Sequence, residues 1–386
     1  MPFLEENKME LYLDNASTTC VDTEVKDLYI SLLNKYYGST GSLHKMGEEA
    51  LFLETNAKND IAALLNVQPS EIYFNSGATE GNNYAIKGVA FQYQNRGRTI
   101  ITSKVEHPSV LECIKQLERD FHFHVIYLDV DENGVINLQD LSKSLNNDVI
   151  LVSIMYVNNE VGSIMPIDEI KKMISKYPKI IFHSDVTQAI GKCSIDFQKL
   201  DLATMSSHKI HGMKGCGFLY KKDKVTLYPL INGHPARNTL RAGTSNWISN
   251  VTTALALKKA YKKRIEKQKL ILETRQKIIK LLNEIKEVSI NTSSQYSIPN
   301  ILNFSLKGYN PEVIIRALSL KGIYVSSRSA CSVEKKDQVS STLVAMRKDM
   351  ESCISSIRVS FEKALNEEEI QYFIDSLKEV ISNIRK

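Results

Sequence analysis

The chain is poor in features that would staple it covalently or hold it in a membrane. Its 386 residues include six cysteines, Cys20, Cys113, Cys193, Cys216, Cys331 and Cys353. None forms a C-x-x-C pair, so neither a zinc site nor a disulfide framework is expected. That usage in a chain this long reads as reduced and intracellular. The opening M-P-F-L-E-E-N-K-M-E is acidic and lacks an apolar centre, so no secretory signal is expected. No apolar run approaches the roughly 18–20 residues that span a bilayer, so a cytoplasmic location with no membrane partner is expected. Charge of one sign is scarce too: 49 Lys+Arg against 44 Asp+Glu leaves +5. That balance gives no argument for direct nucleic-acid binding. Internal repeats and low-complexity tracts are absent.

What is present is an ordinary globular composition, 43% hydrophobic and 24% charged, at a length that favours two lobes. Short β-branched runs alternate with helical patterns: E-I-Y-F-N from Glu71, T-I-I-T-S from Thr99, H-V-I-Y-L-D from His124, V-I-L-V-S from Val149, K-I-I-F-H-S-D from Lys179 and D-L-A-T-M-S from Asp201. Near-continuous apolar strands separated by helices predict an α/β fold with a mostly parallel central sheet covered on both faces. Chemistry in such sheets collects at the carboxyl ends of strands. From about Leu255 the spacing predicts one long helix to about Glu287 with a basic, solvated face, then strands near Ile301–Leu306, Ile323–Ser327 and Ser356–Ser360. Asn366 and Glu369 form a capping box ahead of a stripe of Ile370, Phe373, Ile374, Leu377, Ile381 and Ile384, which is core packing. The expected division is a large domain over 17–255 and a smaller α+β domain from 1–16 and 256–386.

The residues that carry chemistry lie after these strands. The strand E-I-Y-F-N runs into S-G-A-T-E-G-N-N and a helix. Gly77 allows the tight turn, and Ala78 and Thr79 present N–H groups and a hydroxyl at a helix N-terminus, an anion site. The hydroxyls of Ser206 and Thr244 and the ring of His208 can complete the cup. Asp185 follows its strand and can face a pyridinium nitrogen. Gln188 and Asn159 can reach a phenolic oxygen, and His107 can stack on a ring and relay a proton. Lys209, in S-S-H-K-I-H-G, can lose its proton beside a phosphate and a desolvated ring and attack an aldehyde. A lysine, a pyridine-facing acid and a phosphate cradle together point to pyridoxal phosphate (PLP). Cys331, in S-R-S-A-C-S, points to a sulfur-containing substrate. Its polar flanks, followed by S-V-E-K-K-D-Q-V-S-S, argue against a buried structural cysteine.

Motifs in chain order carry a resemblance: Y-L-D-N-A-S-T-T from Tyr12, S-G-A-T-E from Ser76, E-H-P-S-V from Glu106, V-N-N-E-V-G from Val157, S-D-V-T-Q-A-I-G-K from Ser184, S-H-K-I-H-G from Ser207, R-A-G-T from Arg241, S-A-C-S from Ser329 and S-S-I-R-V-S from Ser355. The chain resembles the cysteine desulfurases of the NifS/IscS type, class V enzymes of PLP fold-type I. The resemblance implies that Lys209 holds PLP. It implies that Ala78, Thr79, Ser206 and His208 cradle the phosphate, with Thr244 reaching across from a second subunit of a homodimer. Asn159, Asp185 and Gln188 would hold the ring under His107, Arg358 would clamp the carboxylate of L-cysteine, and Cys331 would be the nucleophile that becomes a persulfide. The implied partner is a sulfur acceptor, an iron–sulfur scaffold or a thiouridylase for tRNA.

Several positions depart from the family pattern. The loop from Gly233 reads G-H-P-A-R-N-T, placing Ala236 and Arg237 where the family has a Gln/His–Glu pair. His234 and Pro235 replace glycines there. Arg328 stands three residues before Cys331, Met213 replaces a proline, and Glu362 and Lys363 replace a Gly-Arg. These changes lie where substrate, loop or partner would sit, so two rivals stay open: another PLP-dependent lyase or transaminase with an altered substrate, and a weakly active binding platform for sulfur relay.

Overall fold

In the computed structural model, which describes residues 9–233, 240–262, 264–327 and 339–384, the apolar runs form strands β1 (Leu11–Tyr12), β2 (Ile72–Asn75), β3 (Thr99–Ser103), β4 (His124–Leu128), β5 (Val149–Ser153), β6 (Ile181–Asp185), β7 (Leu202–Ser206), β8 (Gly217–Lys221), β9 (Val288–Ile290), β10 (Ile301–Leu306), β11 (Ile323–Tyr324), β12 (Ser326–Ser327) and β13 (Ser356–Ser360). The main sheet has seven strands in the order β2-β8-β7-β6-β5-β3-β4. In it β8 runs opposite to the other six. Every residue of β3, β5, β6, β7 and β8 is buried. Two-residue periodicity sends Ile101, Val152, Phe182 and Ala203 into one core and Ile100, Leu151, Ile181 and Leu202 into another, which is why these strands read as unbroken apolar runs.

Helices α1 (Thr23–Lys35), α2 (Lys45–Leu65), α3 (Ala78–Tyr93), α4 (Pro108–Phe121), α5 (Leu138–Ser144), α6 (Ile167–Ile174) and α7 (Trp247–Tyr261) belong to this layer. Ile86, Val89, Val110 and Ile114 of α3 and α4 cover one face; Ile61, Ile170 and Leu257 of α2, α6 and α7 cover the other. A smaller antiparallel sheet, β12-β13-β10-β9, and the parallel pair β1-β11 pack with α8 (Arg264–Leu282), α9 (Pro311–Leu320) and α12 (Glu367–Asn383); two short helices, α10 (Ser341–Ala345) and α11 (Met350–Ile354), lie between β12 and β13. The expected capping box of Asn366 and Glu369 opens α12. Phe373, Ile374 and Leu377 are fully buried, each contributing about 1.5–3 kcal/mol.

The structure departs from the sequence reading in three places. Between 255 and 287 there are two helices: α7 ends with Lys262 in extended backbone (φ −65, ψ 126) before α8 begins. Ala254 and Leu257 of α7 join the core of the large sheet, whereas Ile271, Ile278 and Leu282 of α8 join that of the small one. One straight helix cannot serve both cores, so the chain turns. The run Ile323–Ser327 divides into β11 and β12, which belong to different sheets. Strands β1, β8 and β9 were not expected; β1 and β9 are only two and three residues long, and β8, G-F-L-Y-K, opens on a glycine and ends on a lysine.

Candidate active site

Because β2 and the strands up to β7 run the same way, their carboxyl ends meet along one edge of the main sheet. A cavity of about 230 Å³ opens there, lined by Ala78, Thr79, His107, Asn159, Asp185, Gln188, Ser206, His208, Lys209 and Arg358. Ten of the expected site residues, distant in sequence, therefore face one space. Ala16, Ser17, Met155, Val157 and Thr187 also line it and were not expected as site residues. Ser17 lies inside the Y-L-D-N-A-S-T-T motif, which was the available signal.

The cup is built by the turn from β2 into α3. Gly77 adopts φ +133, closed to L side chains; a Cβ there would also meet Ser206 Oγ at 3.1 Å. Ser206 Oγ accepts from the Ala78 N–H at 2.7 Å, fixing the first turn of α3. One turn on, a Cβ at Gly81 would fall 2.3 Å from Thr204 Cγ2, so glycine lets α3 lie directly on β7. His208, 3.1 Å from Thr18 Oγ1 through Nδ1, is pushed down to about 4 by burial and then by the Lys209 and Lys214 charges.

Lys209 ends a 3-10 turn (Ser207–Lys209) that leaves β7. Its Nζ donates to the carbonyls of Ala16 at 2.5 Å and Ser17 at 2.7 Å. Burial, then the Arg358 and Lys192 charges, bring its pKa from 10.5 down to about 7, with Asp14 and Asp185 opposing. The amine is thus ready to become a nucleophile near neutral pH. Asp185 ends β6, and both its oxygens accept: Oδ1 from the Thr187 N–H at 2.9 Å and Oδ2 from Asn82 Nδ2 at 2.8 Å. Gln188 donates to the Ala16 carbonyl at 2.9 Å. His107 caps α4 by accepting the Ser109 N–H on Nδ1, and its pKa is lowered by burial. Beside it, buried Glu106 accepts the Met155 N–H at 3.0 Å and pairs with Ser103 Oγ at 2.6 Å; burial pushes its carboxyl up to about 8.

Arg358, on β13, enters the cavity from the small sheet. Nη2 lies 2.9 Å from Asp14 Oδ1, 2.6 Å from Ser17 Oγ and 2.9 Å from Ser326 Oγ, and Nη1 donates to the Asn159 carbonyl at 2.9 Å. Its Nε is buried without a partner among the described residues. Thr244 is exposed and stands outside the cavity of its own chain. Cys331, Arg328 and the departures at 234–237 lie outside the described residues.

The Aminotransferase class-V profile matches residues 11–373. The chain belongs to the class-V aminotransferase family. A NifS/IcsS protein homolog of Lactobacillus delbrueckii subsp. bulgaricus is 38% identical over 97% of this chain and 98% of its own length. A protein named cysteine desulfurase IscS from Dictyoglomus turgidum is 37% identical over 98% of this chain and 96% of its own. Among solved structures, a NifS-like protein superposes with a TM-score of 0.91 at 37% identity, covering 97% of this chain and all of the other. A structure described as SspA in complex with cysteine matches with a TM-score of 0.80 at 29% identity over 92% of this chain and all of the other. The fold is therefore that of the class-V, fold-type I enzymes. The cavity fits the PLP of this class-V family on its own chemistry: an amine with a depressed pKa, a carboxylate fixed by N–H donors on both oxygens, and a helix N-terminus flanked by Thr79, Ser206 and His208.

Proposed function

We propose that the chain is a PLP-dependent cysteine desulfurase, converting L-cysteine to L-alanine and delivering the sulfur through Cys331 to an acceptor. The observation that carries this is a single cavity holding Lys209, with its amine near pKa 7, together with Asp185, His107 and Arg358. It does so in a chain 37% identical to a protein named cysteine desulfurase. PLP bound there supplies an electron sink that weakens bonds at the substrate's α and β carbons. Lys209 would tether it and move protons, Asp185 would keep its ring nitrogen protonated, and Ala78, Thr79, Ser206 and His208 would hold its phosphate. Asn159 and Gln188 would orient the ring, and His107 would cover it. Arg358 binds the substrate carboxylate, which the guanidinium fork suits. The Cys331 thiolate forms an S–S bond as the substrate's Cβ–S bond breaks. That bond's electron pair stays on carbon, and a proton delivered there completes alanine.

A homodimer belongs to the same proposal, with Thr244 reaching the cavity of the second copy. Supporting it, Thr244 lies outside its own cavity, and Ile30, Leu33, Tyr37, Leu43 and Phe52 are exposed on and between α1 and α2. A division into a large domain (17–255) and a small one (1–16, 256–386) belongs to the proposal as well; the switch of cores between α7 and α8 supports two domains but favours a boundary just past Tyr261, since Ala256 and Leu257 still pack in the large-sheet core. The acceptor is proposed to be an iron–sulfur scaffold or a tRNA thiouridylase in the cytoplasm; no described helix is long and apolar enough to cross a membrane.

The test is to mix the purified protein with PLP and L-cysteine. Alanine, sulfide in the presence of a thiol reductant, and a persulfide on Cys331 by mass spectrometry are expected. Turnover that survives Cys331→Ser would reject the persulfide route, and retained PLP with no turnover would favour the relay platform.

A further inference from the structure

The two groups that would flank the cofactor, His107 and Asp185, are joined by side chains with no part in the roles above. Asn82 of α3 is fully buried. Its Nδ2 donates to Asp185 Oδ2 at 2.8 Å and to Ser109 Oγ at 2.8 Å. Ser109 Oγ lies 2.8 Å from His107 Nδ1, and the Ser109 backbone N–H donates to the same nitrogen at 3.1 Å. Asn82 Oδ1 has no partner among the described residues. Flipping the amide would set that oxygen against the Asp185 carboxylate, so the donor must face it.

The directions of these bonds fix a proton. A backbone N–H can only donate, so Nδ1 of His107 accepts and the neutral ring carries its proton on Nε2. Ser109 Oγ already accepts from Asn82, and its own hydrogen is free to point at Nδ1. Two donors then converge on Nδ1, and a second proton there is disfavoured.

We propose that Asn82 and Ser109 are positioning residues that bridge His107 to Asp185, keeping Nδ1 an acceptor so that His107 exchanges protons through Nε2 alone. This rests on the PLP reading only in naming what His107 and Asp185 serve. The charged groups that face the ring are Asp185 of β6, which favours the imidazolium, and Lys209 after β7, which opposes it. Removing the Asn82 amide lets Ser109 Oγ turn its lone pairs toward Nδ1, so that one of the two donors there is lost while the Ser109 backbone N–H remains, and it leaves the Asp185 charge less offset. Both effects favour the imidazolium.

The experiment is a pH titration of the PLP-loaded protein, histidine-labelled with 13C and 15N, by NMR, with His107 assigned from its loss in His107→Asn. Neutral His107 is expected to show the Nε2–H tautomer. Asn82→Ala is expected to raise its midpoint by about half a pH unit or more, and by less than half as much in a Ser109→Ala background, the non-additivity of a shared network. If Asn82→Ala does not fold, Asn82→Leu, closer in volume, takes its place. A neutral ring protonated on Nδ1, an unmoved midpoint, or an equal shift in both backgrounds overturns the bridge. Failure to bind PLP would instead refute the functional reading, and the same titration without cofactor would still decide the bridge.

Discussion

Lys209 shows how burial turns a common side chain into a reactive one. Its folded pKa of about 7 lies below the ordinary 10.5. Between those values the unfolded chain holds a proton that the folded chain has released, so this group's contribution to stability rises with pH across that window. In cofactor-free protein, the stability gained by Lys209→Met over the parent should be largest below about pH 7 and shrink toward pH 10.5, read by urea unfolding at several pH values. The rate of PLP reconstitution should climb through pH 7 for the same reason. Lys209→Ala should fail to retain PLP on gel filtration. Arg358 makes a second case: a lysine there keeps the charge but loses the fork. Arg358→Lys should raise KM for L-cysteine on the order of tenfold, with a smaller change in kcat, measured by steady-state alanine formation.

Elements place these residues by close approach. Helix α3 lies on β7 because position 81 has no side chain, and the same helix offers its first turn to the cup and Asn82 to Asp185. Gly81→Ala should destabilise the fold by about 1–3 kcal/mol in chemical denaturation and weaken PLP binding as α3 lifts. Adding Thr204→Ser, which removes the clashing Cγ2 and keeps the hydroxyl near His183 Nε2, should recover part of both. If Gly81→Ala alone is neutral, this account of the contact is wrong. The break between α7 and α8 obeys the same rule at larger size, since an element follows the core that receives its apolar face.

Across the whole molecule, Glu362, at a position where the resemblance leads one to expect glycine, gathers Lys192 from the large sheet's side at 2.9 Å, Lys267 of α8 at 3.0 Å and His211, two residues past Lys209, at 3.5 Å. The Lys192 charge, the His211 hydrogen bond and the Lys267 charge hold the Glu362 carboxyl far below the usual range against the cost of burial. A depressed carboxylate stabilises the fold above its unfolded pKa, and that contribution fades as pH falls below it. Glu362→Gln leaves Lys192 buried without its anion and should cost roughly 3 kcal/mol at pH 7. The gap to the parent protein should narrow as pH drops below about 4.5, as urea titrations at pH 7 and pH 4 would show.

The sequence by itself determined the strands that carry the site, because their burial on both faces leaves apolar runs such as T-I-I-T-S and D-L-A-T-M-S. It also supplied the residue types that follow those strands, a lysine, a carboxylate, a histidine and hydroxyls, because few side chains other than these suit a PLP site. It did not show β8, the turn between α7 and α8, the Asn82–Ser109 bridge or the Glu362 cluster. Each of these depends on which surfaces meet across long stretches of chain, and a hydrogen bond between Asn82 and Asp185 leaves no trace in local spacing. Only the tertiary structure decided that Lys209 is buried and lies beside Arg358, and it is that burial first, and the Arg358 charge second, that bring its amine to neutral pH.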